Sequence, residues 1–188
     1  MGICLVIITA SFVCPGCVER ESVFDARVPL CQAVYVWQRY WSPEVVDAVA
    51  QASSKASCFM VLAGEMERKG DALRYVKVLA DWDVLGASHR GVWLVFRSCP
   101  GLTGPDRSPG DKLAQQINVT LAEAVRVGVS LDGIQLDYDC PTEELEAYAN
   151  LLVGYQKAFP KIPLSITVLP TWLPYPDCRR VINASDHF

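Results

Sequence analysis

Short apolar runs rich in β-favouring residues alternate along the chain with segments whose apolar positions recur every three to four residues. The first run, residues 33–37, predicts a strand ending in the polar pair Gln38-Arg39. Ser42 then offers an N-cap with Pro43 at the first helical position, and Val45, Val46 and Val49 carry a helix to about Ser53. A second strand over 58–63 ends in Gly64-Glu65. Residues 68–90 are ambiguous, since Tyr75, Val76 and Val78 favour a strand while the wider spacing also fits a helix. An extra strand over 73–79 and a short helix over 83–87 are the preferred reading. Residues 92–96 form a third core strand ending in Arg97, followed by a Gly/Pro/Ser-rich loop over 99–110. Asp111 is the expected cap of a helix with Leu113, Ile117, Leu121 and Val125 on one face and Gly128 at its stop. A fourth core strand, 131–138, leads to Thr142, the expected cap of a helix bearing Leu145, Tyr148, Leu152 and Tyr155. A fifth, 164–169, runs into a Pro/Trp loop and a short tail.

Apolar strands separated by amphipathic helices predict an α/β fold of parallel βα units with right-handed crossovers. A doubly wound sheet usually carries a Gly-rich loop after its first strand, whereas residues 37–41 read Trp-Gln-Arg-Tyr-Trp. A (β/α) TIM-type barrel places its chemistry at the carboxyl ends of the strands. Here those ends read Gln38-Arg39, Glu65, Arg97, Asp137 with Asp139, and Trp172. No repeat or linker divides residues 33–188, so they are expected to form one barrel domain. Five core strands fall short of eight, and a complete barrel typically takes about 250 residues. The expectation is therefore a barrel truncated after about five strands, with further βα units beyond Phe188.

The amino-terminal residues change the picture in one respect. Residues 3–13 are an apolar run of 11, the length of a signal-peptide core and well short of the roughly 20 residues that span a bilayer. Residues 1–17 are accordingly read as a signal peptide of an exported protein of the periplasm or cell envelope, although Met1-Gly2 supplies no basic flank. The alternative is an ordinary buried strand. Cys17 after Gly16 also allows membrane attachment through a lipidated cysteine. Eight cysteines in an exported chain permit disulfides, but their spacing fixes no pairing. Cys14 and Cys17 have redox-motif spacing but abut the apolar run rather than opening a helix, which argues against thiol catalysis.

Composition narrows the function classes. The chain is 51% hydrophobic and 20% charged, as a folded domain with a sizeable core should be. A net charge of −4, with no basic cluster, leaves no electrostatic footprint for nucleic acid. Only two histidines, His89 and His187, are present and they stand apart, so the sequence calls for no metal and no other cofactor. Nothing in it sets an oligomeric state.

The candidate chemistry lies on the fourth core strand. The two-residue strand period puts Gln135, Asp137 and Asp139 on one face and Ile134, Leu136 and Tyr138 on the other. Two carboxylates within roughly 7 Å along a strand should push one pKa upward, which keeps a proton donor available near neutral pH. The spacing resembles the D-x-x-D-x-D-x-E signature of chitinase-like family-eighteen glycoside hydrolases, whose final Glu protonates the glycosidic oxygen. Asp132 and Asp137 coincide with its first and third acids; Gln135 replaces the second, and Asp139 stands in place of the Glu with a side chain one methylene shorter. A closer resemblance rests on Val34-Tyr35-Val36-Trp37-Gln38-Arg39, Leu62-Ala63-Gly64-Glu65, residues 133–142 and Leu164-Ser165-Ile166-Thr167. These phrases resemble an exported bacterial family known as domain of unknown function 3142, which implies a barrel-like domain with no assigned reaction.

Two functions follow as expectations. The first is a carbohydrate-active hydrolase with Asp139 as general acid and Asp137 raising its pKa or orienting a substrate group. Gln135, Glu65, Arg39, Gln38, Arg97 and Trp172 would be substrate-binding residues, Trp172 by stacking on a sugar ring; the alternatives are a core position for Trp172, an ion pair of Glu65 with Arg39 and a structural role for Gln38 and Arg39. The second is a non-catalytic envelope protein that binds glycan or protein at the same mouth. A metal site of Asp137, Asp139 and Glu65 is disfavoured by the lack of a nearby His. Cys140 beside the acids is expected to pack rather than react, since no His follows it closely.

Overall fold

The computed structural model describes residues 32–70, 72–104 and 106–188. The proposed leader, with Cys14 and Cys17, lies outside them. The elements are β1 (Ala33–Val36), α1 (Pro43–Ala52), β2 (Cys58–Lys69), β3 (Ala72–Lys77), α2 (Trp82–Ala87), β4 (Gly91–Ser98), α3 (Ser108–Arg126), β5 (Leu131–Tyr138), α4 (Leu145–Ala158), β6 (Leu164–Ile166) and α5 (Pro176–Asn183). They build a six-stranded sheet in the order β1-β2-β4-β5-β6, with β3 paired to β2. Every pairing along that order is parallel, and β3 alone runs antiparallel. Strand order follows chain order, as successive right-handed βα units require. Beyond α5 the chain returns to β6, where Ser165 faces His187 in a parallel bridge.

The sheet is buried on both faces, which is why its strands read as continuous apolar runs. Val36, Phe59, Val61, Ala63, Val92, Leu94, Phe96, Ile134, Leu136, Tyr138, Leu164 and Ile166 face the helices. There they join Val45 and Val49 of α1, Leu113 and Ile117 of α3, and Tyr148 and Leu152 of α4 in the main core. Ala33, Tyr35, Cys58, Met60 and Val95 form a smaller cluster on the opposite face, with Trp37 and Trp93 against it. At about 25 cal/mol per Å² of apolar area, the helix-side core is the principal stabilising term. Gly133 is required where strands crowd, since a Cβ there would lie 2.3 Å from the Trp93 ring and 2.6 Å from the Pro163 carbonyl oxygen.

Several boundaries differ from the sequence expectation. The second strand runs to Lys69 rather than stopping at Ala63, because Gly64–Lys69 pairs with β3 in an antiparallel ribbon. Charged residues at 65 and 67–69 hid that extension, which needs pairing rather than burial. A bulge between Leu62 and Gly64 shifts the register to β4 at the same point. The third helix starts at Ser108, with Asp111 in its first turn instead of at its cap. Pro109 already fits that first turn, and Asp106 accepts from the Ser108 amide (2.9 Å) and hydroxyl (2.7 Å). Thr142 opens a 3₁₀ turn, Thr142–Glu144, ahead of α4. Helix α5 occupies what reads in sequence as a tail; Cys178 and Val181, three apart, are its buried positions.

Candidate functional site

The carboxyl ends of the parallel strands bring the predicted polar residues into one row. Glu65 pairs in register with Arg97, and Arg97 with Asp137. Leu136 pairs with Ile166, so Thr167, one residue on, comes beside Asp137. Asp137 Oδ1 accepts a hydrogen bond from the Thr167 hydroxyl at 3.0 Å, and Oδ2 lies 3.7 Å from Arg97 Nε. This row is on the face away from the helices, while Leu136 and Tyr138 are under them, as the strand period predicts. Thr167 was legible only as part of a family-like phrase, although parity at the end of β6 points to it.

Asp137 is half-buried and Asp139, one residue beyond the end of β5, is exposed. Burial pushes the Asp137 carboxyl above its ordinary range, the Thr167 hydroxyl and then Arg97 draw it back, and the Asp139 charge raises it again. Asp132, the first acid of the signature, lies at the other end of the strand, where it crowds Gly91. Five residues of strand, about 16 Å, separate it from Asp137, which removes it from the site.

The flanking residues divide. Arg39 is ion-paired with both Glu65 and Glu67, and Glu65 is only 6% exposed, so these two are bound mainly to each other. Gln38 is half-buried, with its amide oxygen lacking a donor among the described residues. Arg97 is 58% exposed and holds Asp137 loosely, as a surface ion pair of small energetic weight. Gln135 is buried beneath the mouth. It accepts from the Tyr35 hydroxyl at 3.1 Å and donates to the Ser165 hydroxyl at 3.3 Å, tying β1 to β6 across the inner face. The Gln135 amide is thereby satisfied within an interior bridge.

Trp172 belongs to the main core on the helix side. Its side chain is 0% exposed, packed edge-on against Tyr148 with ring centroids 6.0 Å apart. Its indole Nε1 donates to the Cys140 carbonyl at 2.9 Å. A ring so enclosed has no face for a sugar; the Pro170–Trp172 turn delivers it to the helix side. Cys140 is buried, and burial first, then the Glu144 charge, push its thiol up to about 12, which suits packing and not nucleophilic attack. Among the described residues no three His, Cys, Asp or Glu side chains converge to hold a metal ion. Two open cavities, of about 510 and 640 Å³, lie at the α3–α4 groove and beside the β2–β3 ribbon, and neither is lined by Asp137 or Asp139.

Parallel βα units in consecutive order, with acids at the strand ends, define a mixed α/β protein whose sheet is consistent with a partial barrel. The chain belongs to the family described as Domain of unknown function (DUF3142), whose model matches residues 89–188. That match takes in β4, β5 and β6, and hence Arg97, Asp137, Asp139 and Thr167. Among solved structures the fold is similar to the spore cortex-lytic enzyme SleL of Bacillus megaterium QM B1551, with a TM-score of 0.54 and 14% identity over 71% of this chain and 33% of that one. It is also similar to SleL of Bacillus cereus, with a TM-score of 0.53 and 17% identity over 73% of this chain and 34% of that one. The chain thus spans about a third of the length of these structures. No curated protein matches it.

Proposed function

We propose that this chain forms part of a (β/α) TIM-type barrel of a carbohydrate-active protein, with the Asp137–Asp139 strand end as its glycan site. The observation that carries the reading is the in-register row Glu65, Arg97 and Asp137 at adjacent strand ends, with Asp137 desolvated beside an exposed second carboxyl. In the hydrolytic form, Asp139 donates the proton to the glycosidic oxygen while Asp137 orients a substrate group, with Arg97 and Gln38 at the rim. The fold shared with two cortex-lytic enzymes and the partial family-eighteen signature support this class. The test is a glycan-library screen for both binding and cleavage with a full-length homologue. Cleavage supports the hydrolase. Binding without any cleavage establishes instead a non-catalytic glycan-binding protein. Neither outcome on any glycan sinks both.

The non-catalytic reading has its own support, since both Asp137 oxygens are already engaged and a shorter Asp stands where the signature has Glu. Export to the cell envelope, with Cys17 available for lipid attachment, suits either reading. Mature protein from the native host is expected to begin at or shortly after Cys17, by amino-terminal sequencing; an intact Met1 would contradict export. Among the described residues no helix is long and apolar enough to cross a membrane.

A further inference from the structure

Tyr138 stands between the two site acids on β5, and strand parity turns its side chain to the opposite face. Its ring is fully buried and meets Tyr148 edge-on, with centroids 5.1 Å apart. Its hydroxyl lies 2.9 Å from the Thr103 hydroxyl, in the loop after β4, and 3.3 Å from Glu144 Oε2, in the turn after β5. The Thr103 hydroxyl donates to that same Glu144 oxygen. A hydroxyl has one proton to give; with Thr103 donating to the Glu144 carboxylate, Tyr138 donates either to Thr103 or directly to the same carboxylate oxygen, and both arrangements join the three groups in one cluster. Burial raises the Tyr138 phenol well above its ordinary range, so it remains a donor at any physiological pH. On the other side, Trp172 fixes the Cys140 carbonyl. The segment holding Asp137 and Asp139 is thus tied to the loops after β4, β5 and β6 by bonds that never enter the mouth.

We propose that Tyr138, through Thr103 and Glu144, is a positioning residue that sets the placement of the Asp137 and Asp139 carboxyls; this rests on the Asp137–Asp139 strand end being the functional site. Such a support bears on rate, because small misplacements of a proton donor are costly. The hydroxyl does this without adding to the ring's packing, which separates it from an ordinary core aromatic.

The test is Tyr138→Phe, which keeps the buried ring, with Thr103→Val and the conservative Thr103→Ser alongside. The readout is the titration of the Asp137 carboxyl carbon by NMR, which needs no substrate. A displaced Asp137 midpoint in Tyr138→Phe and Thr103→Val, with wild-type behaviour in Thr103→Ser, is the expected result. On any glycan the protein cleaves, the same two variants are expected to lose turnover by roughly 10–100-fold with little change in KM. An unchanged Asp137 titration in folded Tyr138→Phe and Thr103→Val overturns the proposal. If Tyr138→Phe does not fold, Thr103→Val decides alone. A wild-type protein that engages no glycan refutes the functional reading, while the titration still decides whether the cluster positions Asp137.

Discussion

Trp172→Ala is expected to destabilise the fold by about 3–5 kcal/mol, in the range found for emptying a buried aromatic site. The side chain is wholly enclosed, meets Tyr148 edge-on and satisfies the Cys140 carbonyl, so truncation removes packing and orphans a buried acceptor at once. Against a net stability of roughly 5–15 kcal/mol for a typical domain, that loss is large. Trp172→Phe keeps most of the ring and should cost less, isolating the contribution of the indole hydrogen bond. Urea unfolding followed by circular dichroism measures both. A change below about 1 kcal/mol for Trp172→Ala would restore the ring to the surface and reopen the sugar-stacking role that its burial removes.

Trp172, which the sequence leaves as either a core ring or a sugar-stacking one, bears on how much of this fold the sequence carries. Elements whose signal is local were legible: the alternation at 131–138, the helical spacing of Val45 and Val49, and, as the preferred of two readings, the extra strand at 72–77 that contains β-favouring Tyr75 and Val76. Parity alone separated Asp137 from Leu136 and Tyr138, because successive side chains along a strand point to opposite faces. Contacts between distant segments were not legible. Whether Trp172 stacks on ligand or on Tyr148 depends on how a 3₁₀ turn aims it. Likewise, that Gln135 bridges Tyr35 and Ser165 depends on strands 100 and 30 residues away. Glu65 shows the intermediate case: its pairing with Arg39 is an alternative to ligand binding in the sequence, and the two side chains are ion-paired with Glu65 buried.

Asp139→Asn is expected to abolish glycan turnover in a full-length homologue, since an amide has no proton to transfer to the glycosidic oxygen, while binding largely survives. Asp137→Asn should lower turnover without abolishing it. Because burial raises the Asp137 carboxyl, the acidic limb of the pH profile should follow its ionisation and move to lower pH when residue 137 can no longer titrate. Stability supplies an independent check of sign. A carboxyl whose folded pKa is raised has its full contribution below its unfolded value, near about 3.9, and loses it as pH rises through the folded value. Wild type should therefore be less stable than Asp137→Asn at neutral pH, with the difference closing as pH falls toward 4. The asparagine keeps an oxygen for the Thr167 hydroxyl, so the comparison removes the charge with little else. Thermal unfolding of both proteins between pH 4 and 8 reads this directly. An Asp137→Asn protein that is less stable at pH 7 would mean that Arg97 and Thr167 outweigh burial, and turnover undiminished in Asp139→Asn would place the proton donor elsewhere.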